Sequence, residues 1–89
     1  MDMKKFRLII SSPNKKHFDG EAESVILRGC EGDLAIFAGH IPFITTVVPG
    51  KCILTLADGT KKEGKIGTGL LAVRQEGVVI TSERFFFTN

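Results

Sequence analysis

The apolar runs of this sequence are short, and their brevity limits the possible folds more than any other feature. Apolar and β-branched residues occur in runs of four to six, separated every few positions by glycine, proline, asparagine or aspartate. This punctuation is typical of short strands joined by tight turns, and no long stretch with helical periodicity competes with it. We therefore predict an all-β fold of about nine or ten short, mainly antiparallel strands, arranged as a sandwich or a barrel.

Turn signals divide the predicted strands. Residues 51–56 alternate between two faces and are followed by an Asp-Gly pair at 58–59, which predicts a hairpin with a two-residue type I′ turn. Another Asp-Gly pair, at 19–20, is expected to break the second strand. Residues 29–33 contain two glycines and two carboxylates and predict an exposed loop. The glycines within 64–69 indicate a bulge or a close approach of two backbones.

Length and charge exclude several classes of protein. The chain has 89 residues, which fits one domain, 1–89, and leaves no room for a second core. Its 43% of apolar and 25% of charged residues are normal for a folded protein and too apolar for a disordered one. The basic residues are scattered as short pairs and the net charge is only +2, so nucleic acid is not a predicted partner.

The cysteines and the lengths of the apolar runs bear on the compartment. Cys30 and Cys52 are too few for a disulfide scaffold, and no paired histidines accompany them to suggest a zinc site. No apolar run has the length of a signal-peptide core or of a membrane span. These features favour a reducing, cytosolic compartment, and they fit equally well a protein attached to a membrane complex through other subunits.

Two groups of polar residues invite an active-site interpretation, and neither supports it. His40 could act as a general base, but no nucleophile motif accompanies it, and its Gly-His-Ile-Pro context favours a loop residue that bonds backbone. Glu31 and Asp33 could form an acid–base pair or bind a hard cation, but a calcium loop needs more oxygens at fixed spacing. We predict no catalytic residue, no metal and no cofactor. The two carboxylates are interpreted either as a solvated acidic loop or as a docking element.

A known family resembles this chain along most of its length. The strongest segment is EGDLAIFAGHIPFIT at 31–45, which is similar to E-G-E-L-G-I-x-P-G-H-A-P-L-L-T of the epsilon subunit of F-type rotary ATP synthases. The likeness continues at 18–25, at the Pro-Gly pair 49–50, at 67–73 and at 78–81, in the family's order and spacing.

The resemblance implies a flattened antiparallel β-sandwich of about ten short strands. It also implies a non-catalytic subunit at the foot of the rotating central stalk. In the family, this sandwich binds the gamma subunit along one face and touches the membrane ring of c subunits with its lower end. Rotor and ring then turn together during ATP synthesis driven by protons or sodium ions. The protein would be peripheral on the cytoplasmic face of the cell membrane and would meet the membrane only through the complex.

Carried over position by position, the resemblance assigns contacts to five residues. Glu31 and Asp33 stand where the family's acidic loop meets the c ring, and they could pair there with Arg or Lys. Ser12, His40 and Thr45 fall on segments that would lie near gamma.

The sequence departs from the family pattern mainly at its end. Family members typically continue into two C-terminal helices, whereas this sequence finishes with FFFTN at 85–89. It therefore either stops at a domain boundary or is a short form without those helices, and the Phe triplet favours the short form, with no nucleotide site. Because exposed phenylalanines are adhesive, we expect the triplet to pack on the sandwich or on gamma.

A different class of protein also fits these residues. A free-standing small β-sandwich binding module could recognise a peptide or a ligand with the loop 31–33. Stable association with gamma distinguishes the two interpretations.

Overall fold

The computed structural model describes residues 5–39 and 41–88, and these form strands and no helix. Nothing in these two ranges is a helix long and apolar enough to cross a lipid bilayer. The nine strands are β1 (Phe6–Ser12), β2 (Lys15–Gly29), β3 (Gly32–Phe37), β4 (Phe43–Val47), β5 (Gly50–Leu56), β6 (Lys61–Ile66), β7 (Gly69–Arg74), β8 (Gly77–Ser82) and β9 (Phe85–Phe87).

Strand β2 is long and belongs to both layers of the molecule. Its 15 residues would extend for about 50 Å at about 3.3 Å each, whereas the longest dimension of the molecule is 36 Å. The strand therefore bends, and its pairing with β5 shifts register between Ala22 and Ser24, which marks the bend. Its first half pairs with β1, and its second half pairs with β3 and β5.

The predicted break of the second strand at 19–20 is wrong. Asp19 pairs with Ile9 of β1, and Gly20 pairs with Leu8. Since β1 satisfies the backbone of this segment, the chain has no need to turn there. Gly20 makes room for an aromatic ring instead, because a Cβ at this position would lie 3.2 Å from Cζ of Phe18.

Two layers enclose the core, which confirms the predicted all-β sandwich. The first layer contains β1, β8, β7, β4 and the first half of β2, and the second contains β3, the second half of β2, β5, β6 and β9. The described residues form nine strands rather than about ten, and β1 and β8 are parallel, so the sandwich is not wholly antiparallel.

Alternating side chains of both layers fill the space between them. Each fully buried Leu or Ile contributes about 2 kcal/mol to the free energy of unfolding. The buried apolar residues are Leu8, Ile10, Ala22, Val25, Leu27, Ile36, Val47, Cys52, Leu54, Ile66, Leu71, Val73, Val78, Ile80 and Phe85.

The β5–β6 hairpin is present, but its turn is not the predicted two-residue type I′. The N–H of Leu56 donates to the carbonyl of Thr60 (2.8 Å), which leaves three residues in the loop. Gly59 is the one of them with positive φ (+89°), whereas a type I′ turn needs two such residues. The geometry is a three-residue loop with a left-handed glycine. The N–H of Thr60 also donates to Asp58 (2.9 Å), which holds the pKa of that carboxyl below its usual value.

The Phe triplet forms β9, which pairs with β6 at the edge of the second layer. Phe85 is buried, and Phe87 packs edge-on against it with ring centroids 4.9 Å apart. Phe86 points the other way and is 54% exposed, because successive side chains of a strand alternate between its faces. The expected packing on the sandwich is therefore confirmed for two of the three rings.

Replacement of Gly69 is expected to disrupt the sandwich. A Cβ at this position would overlap the carbonyl oxygen of Thr81 on β8, so Gly69→Ala should lower the free energy of unfolding by about 3 kcal/mol. Gly50→Ala is the control, because the nearest atom there is Cβ of Arg28 at 3.8 Å. Urea denaturation followed by circular dichroism measures both. Equal stability of the two variants would contradict the predicted overlap.

The two cysteines should react very differently with a thiol reagent. Cys52 is buried, and burial raises the pKa of its thiol to about 12, which suppresses the reactive thiolate. Cys30 is exposed. We expect a disulfide reagent to modify Cys30 alone in the folded protein and Cys52 only after unfolding. Cys30→Ser should abolish labelling of the folded protein, and rapid labelling of that variant would show that the core opens readily.

Candidate docking surfaces

The predicted acidic loop is a tight turn between β2 and β3. Gly29 and Gly32 are register partners, so Cys30 and Glu31 alone form the turn, and Asp33 already belongs to β3. The predicted exposure of this segment is confirmed for residues 30–33. Within the described ranges Glu31 has no hydrogen bond and no ion pair. Its carboxylate is therefore available to a partner.

Asp33 is partly neutralised within the chain. Arg28 lies directly opposite it on β2, and the guanidinium Nε donates to Oδ1 of Asp33 at 3.3 Å. Both side chains are well exposed, so the pair is worth at most about 1 kcal/mol. Glu31 carries the uncompensated negative charge of this turn.

Thr45 lies beside the same turn. It is half-buried in β4, whereas its neighbours Ile44 and Thr46 are exposed. A shallow hollow is lined by residues 29–34 and by Thr45. The structure thus brings a residue that the sequence assigned to gamma next to the two that it assigned to the c ring.

Ser12 lies at the end of β1, and none of its described contacts is with Glu31, Asp33 or Thr45. Its Oγ is hydrogen-bonded to Nε2 of His17 (2.8 Å), and the His17 ring contacts the buried ring of Phe85 with centroids 5.5 Å apart. His17 is thus part of the packing of β9. His40, the remaining predicted gamma contact, lies outside the described residues.

An apolar row crosses the outer face of the first layer, and we call this row, together with Leu70, the apolar face. Ile44 is opposite Ala72, Ala72 is opposite Val79, and Val79 is opposite Ile9, so these side chains form one row across four strands. Leu70 adjoins the row on β7. Ile44 is 67% exposed and Leu70 is 52% exposed. Aliphatic side chains so exposed on adjoining strands mark a candidate docking surface.

Sequence reasoning missed the apolar face, although a signal was present. Residues 70–73 and 78–80 are apolar without interruption, whereas a strand with one solvated face alternates between apolar and polar residues. Continuous apolar runs indicate strands that are covered on both sides.

Charged residues stand at the margin of the apolar face. Asp19, opposite Ile9, accepts hydrogen bonds from the guanidinium of Arg7 and from Nζ of Lys16, each at 3.1 Å. The bond from Arg7, then that from Lys16, holds the pKa of Asp19 below its usual value, so the carboxylate stays ionised at neutral pH. The cluster gives one edge of the apolar face a polar rim.

The described residues offer little for chemistry. They include no group of three or more His, Cys, Asp or Glu side chains that could hold a metal ion. Every buried polar side-chain atom among them has a hydrogen-bond partner.

Relatives of known name are similar over most of this chain. The epsilon chain of the sodium-ion-specific ATP synthase of Acetobacterium woodii is 37% identical over 78 residues, which are 88% of this chain and 59% of that protein. The ATP synthase epsilon chain of a Bradyrhizobium strain is 36% identical over 81 residues, 91% of this chain and 59% of that protein. This chain thus spans about three fifths of the length of these relatives. Both relatives are named as epsilon chains, which are not the catalytic subunit of the ATP synthase. This agrees with the prediction of a non-catalytic protein.

Solved structures share the fold. A chain in the mitochondrial ATP synthase of Euglena gracilis, solved with OSCP, F1 and c-ring, matches with a TM-score of 0.87 at 19% identity, over 93% of this chain and 53% of that one. A chain of the central stalk and c-ring structure of the Tetrahymena thermophila mitochondrial ATP synthase matches with a TM-score of 0.77 at 16% identity, over 97% and 69%.

The chain also matches a protein family over most of its length. Residues 5–88 match the β-sandwich domain of the ATP synthase delta/epsilon chain, and this range contains all nine strands described above. The chain belongs to this family, as the segment at 31–45 predicted.

Proposed function

We propose that this protein is a central-stalk subunit of an F-type ATP synthase, and that it couples the gamma subunit to the membrane ring of c subunits during ATP synthesis. It contributes no catalytic residue and needs no cofactor. In this role it is peripheral on the cytoplasmic face of the cell membrane and is held there by the complex. The family match and the names of the epsilon-chain relatives support the proposal.

The apolar face is the observation that carries the proposal. The outward-facing residues of a solvated sheet are usually polar. Here Ile44 and Leu70 extend into solvent beside Ala72 and Val79. Burying such a face against a partner removes apolar surface from water and stabilises the complex. We assign this face to gamma, which leaves the acidic turn free for a second contact.

The predicted gamma contacts fit this assignment in part. Ser12 and Thr45 belong to β1 and β4, two strands of the layer that presents the apolar face. Both are half-buried, and Thr45 alternates with Ile44 along β4, so its side chain faces away from the apolar face. We propose that Ser12 and Thr45 are minor contacts and that Ile44 and Leu70 contribute most of the affinity for gamma. His40 follows Gly39 in the connection to β4, and it stays a proposed contact.

The acidic turn is the proposed contact with the ring. Glu31 is exposed and unpaired among the described residues, and it can form an ion pair with an Arg or Lys of a polar ring loop. Asp33 lies in the same region, but it already forms an ion pair with Arg28. We therefore propose Glu31 as the principal ring contact and Asp33 as a weaker one.

Substitution of the apolar face should release gamma. We expect Ile44→Lys and Leu70→Lys each to weaken the complex at least about tenfold, because a desolvated aliphatic contact at the centre of an interface is worth more than 1 kcal/mol. Size-exclusion chromatography of the chain coexpressed with gamma from the same genome measures this. Ile26→Lys is the matched control, because Ile26 is 39% exposed on the opposite layer. Absence of any complex with the unmodified chain at micromolar concentration would refute the proposal and leave the free-standing binding module.

Charge reversal in the acidic turn should affect the ring and spare gamma. Glu31→Lys should reduce retention of the chain–gamma complex on the detergent-solubilised c ring by roughly fivefold, since an exposed ion pair is worth up to about 1 kcal/mol. Asp33→Asn should have a smaller effect because Arg28 already compensates Asp33. Co-elution with gamma should stay unchanged in both variants, and an equal loss of gamma and ring would argue against two separate contacts.

A further inference from the structure

Two lysines face each other on the outer side of the second layer. Lys51 of β5 and Lys65 of β6 are register partners, and both are exposed. Like charges directly opposite each other on neighbouring strands destabilise a sheet. Lys51 is compensated, since its Nζ lies 3.4 Å from Oε2 of Glu63. Lys65 forms no ion pair within residues 5–39 and 41–88, so its charge lowers stability with no compensating contact there.

An exposed aromatic ring and a second cation adjoin Lys65. On its other side Lys65 is opposite Phe86 of β9, which is 54% exposed. Arg84 precedes β9 and is also exposed. Its guanidinium lies 3.9 Å from the carboxylate of Glu83, but Glu83 also accepts a hydrogen bond from the N–H of Thr68 at 3.1 Å. We call Lys51, Lys65, Arg84 and Phe86 together the basic patch.

A hollow opens within the basic patch. Its volume is about 370 Å³, which is ample for one bulky aliphatic or aromatic side chain. Backbone hydrogen bonds hold its rim, because the N–H of Gly67 donates to the carbonyl of Arg84 (3.0 Å) and the N–H of Glu83 donates to the carbonyl of Thr68 (2.9 Å). A rim held in this way needs little reorganisation on binding. The lining residues are Pro49, Gly50, Lys65, Ile66, Gly67, Arg84 and Phe86.

We propose that the basic patch docks an acidic peptide segment of a protein partner. A bulky apolar side chain of that segment enters the hollow against Phe86, and flanking carboxylates pair with Lys65 and Arg84. Charge complementarity selects the segment, and the concave apolar floor favours a side chain over the flat surface of a lipid bilayer. The surface lies on the second layer, opposite the face assigned to gamma, so the inference goes beyond the proposed function and does not depend on it.

Binding by the patch can be measured with a synthetic probe. The probe is a fluorescein-labelled peptide of glutamate and glycine residues around one leucine, and its counterpart has glutamine in place of glutamate. Fluorescence anisotropy with the full chain should show binding of the glutamate peptide only, weakening as salt is added. Lys65→Glu should weaken that binding about tenfold, as expected for loss of a charge-assisted contact.

Matched variants separate the patch from general surface charge and apolarity. Lys61→Glu changes a lysine on the same strand and the same face, opposite Thr55, and should leave binding unchanged. Phe86→Ala should weaken binding, whereas Phe37→Ala should not, although Phe37 is 53% exposed at the far edge of the same layer. Equal effects of Lys65→Glu and Lys61→Glu, or of Phe86→Ala and Phe37→Ala, would overturn the proposal.

The stability of Lys65→Glu supplies an independent readout. The substitution places a negative charge across from Lys51, where two positive charges had faced each other. It should therefore raise the urea midpoint while it weakens peptide binding. A lowered midpoint would overturn the argument that Lys65 is retained at a cost to the fold. Sedimentation of the chain with phosphatidylglycerol vesicles but not with phosphatidylcholine vesicles, without binding of the peptide, would assign the patch to a lipid surface and overturn the peptide proposal.

Discussion

The membership of β2 in both layers is the constraint on which the rest of the sandwich depends. Ala22 illustrates it, because it pairs with Phe6 of β1 in one layer and with Leu56 of β5 in the other. Ala22 is completely buried, so only a small side chain fits where the layers meet. Since the registers of β1 and β5 are both tied to this residue, neither layer can shift against the other, and the core positions of both follow.

With the inner faces committed to the core, the two outer faces are left with different chemistry. The first layer presents a row of aliphatic side chains, of which Ile44 is the most exposed. The second layer presents cross-strand charges such as Arg28 with Asp33 beside isolated exposed apolar side chains. A small domain with two unlike faces and a projecting acidic turn can hold separate partners in a defined orientation. That asymmetry supports the proposed coupling of gamma to the c ring.

The residues whose positions are unfavourable for stability lie at the surface, on the proposed contact sites. Exposed Ile44 and the opposed Lys51 and Lys65 are unfavourable in the isolated chain, whereas buried polar side-chain atoms among the described residues are all satisfied. In the described interior the residues suit the fold, whereas a few surface residues do not. Such exceptions are expected at positions that are kept for function. The physical chemistry of the surface therefore supports the proposed docking role.

The sequence by itself determined the fold class, the family and the exposure of Glu31, because short apolar runs and turn residues act locally and a long motif at 31–45 is specific. Tertiary structure decided how these pieces pair. The Asp-Gly pair at 19–20 became extended backbone because β1 satisfied it, and β1 joined β8 in parallel although some 70 residues separate their partners Leu8 and Val78. Which side of an apolar run faces solvent was likewise decided by strand order. Backbone hydrogen bonds are satisfied by partners remote in sequence, so no local pattern specifies them.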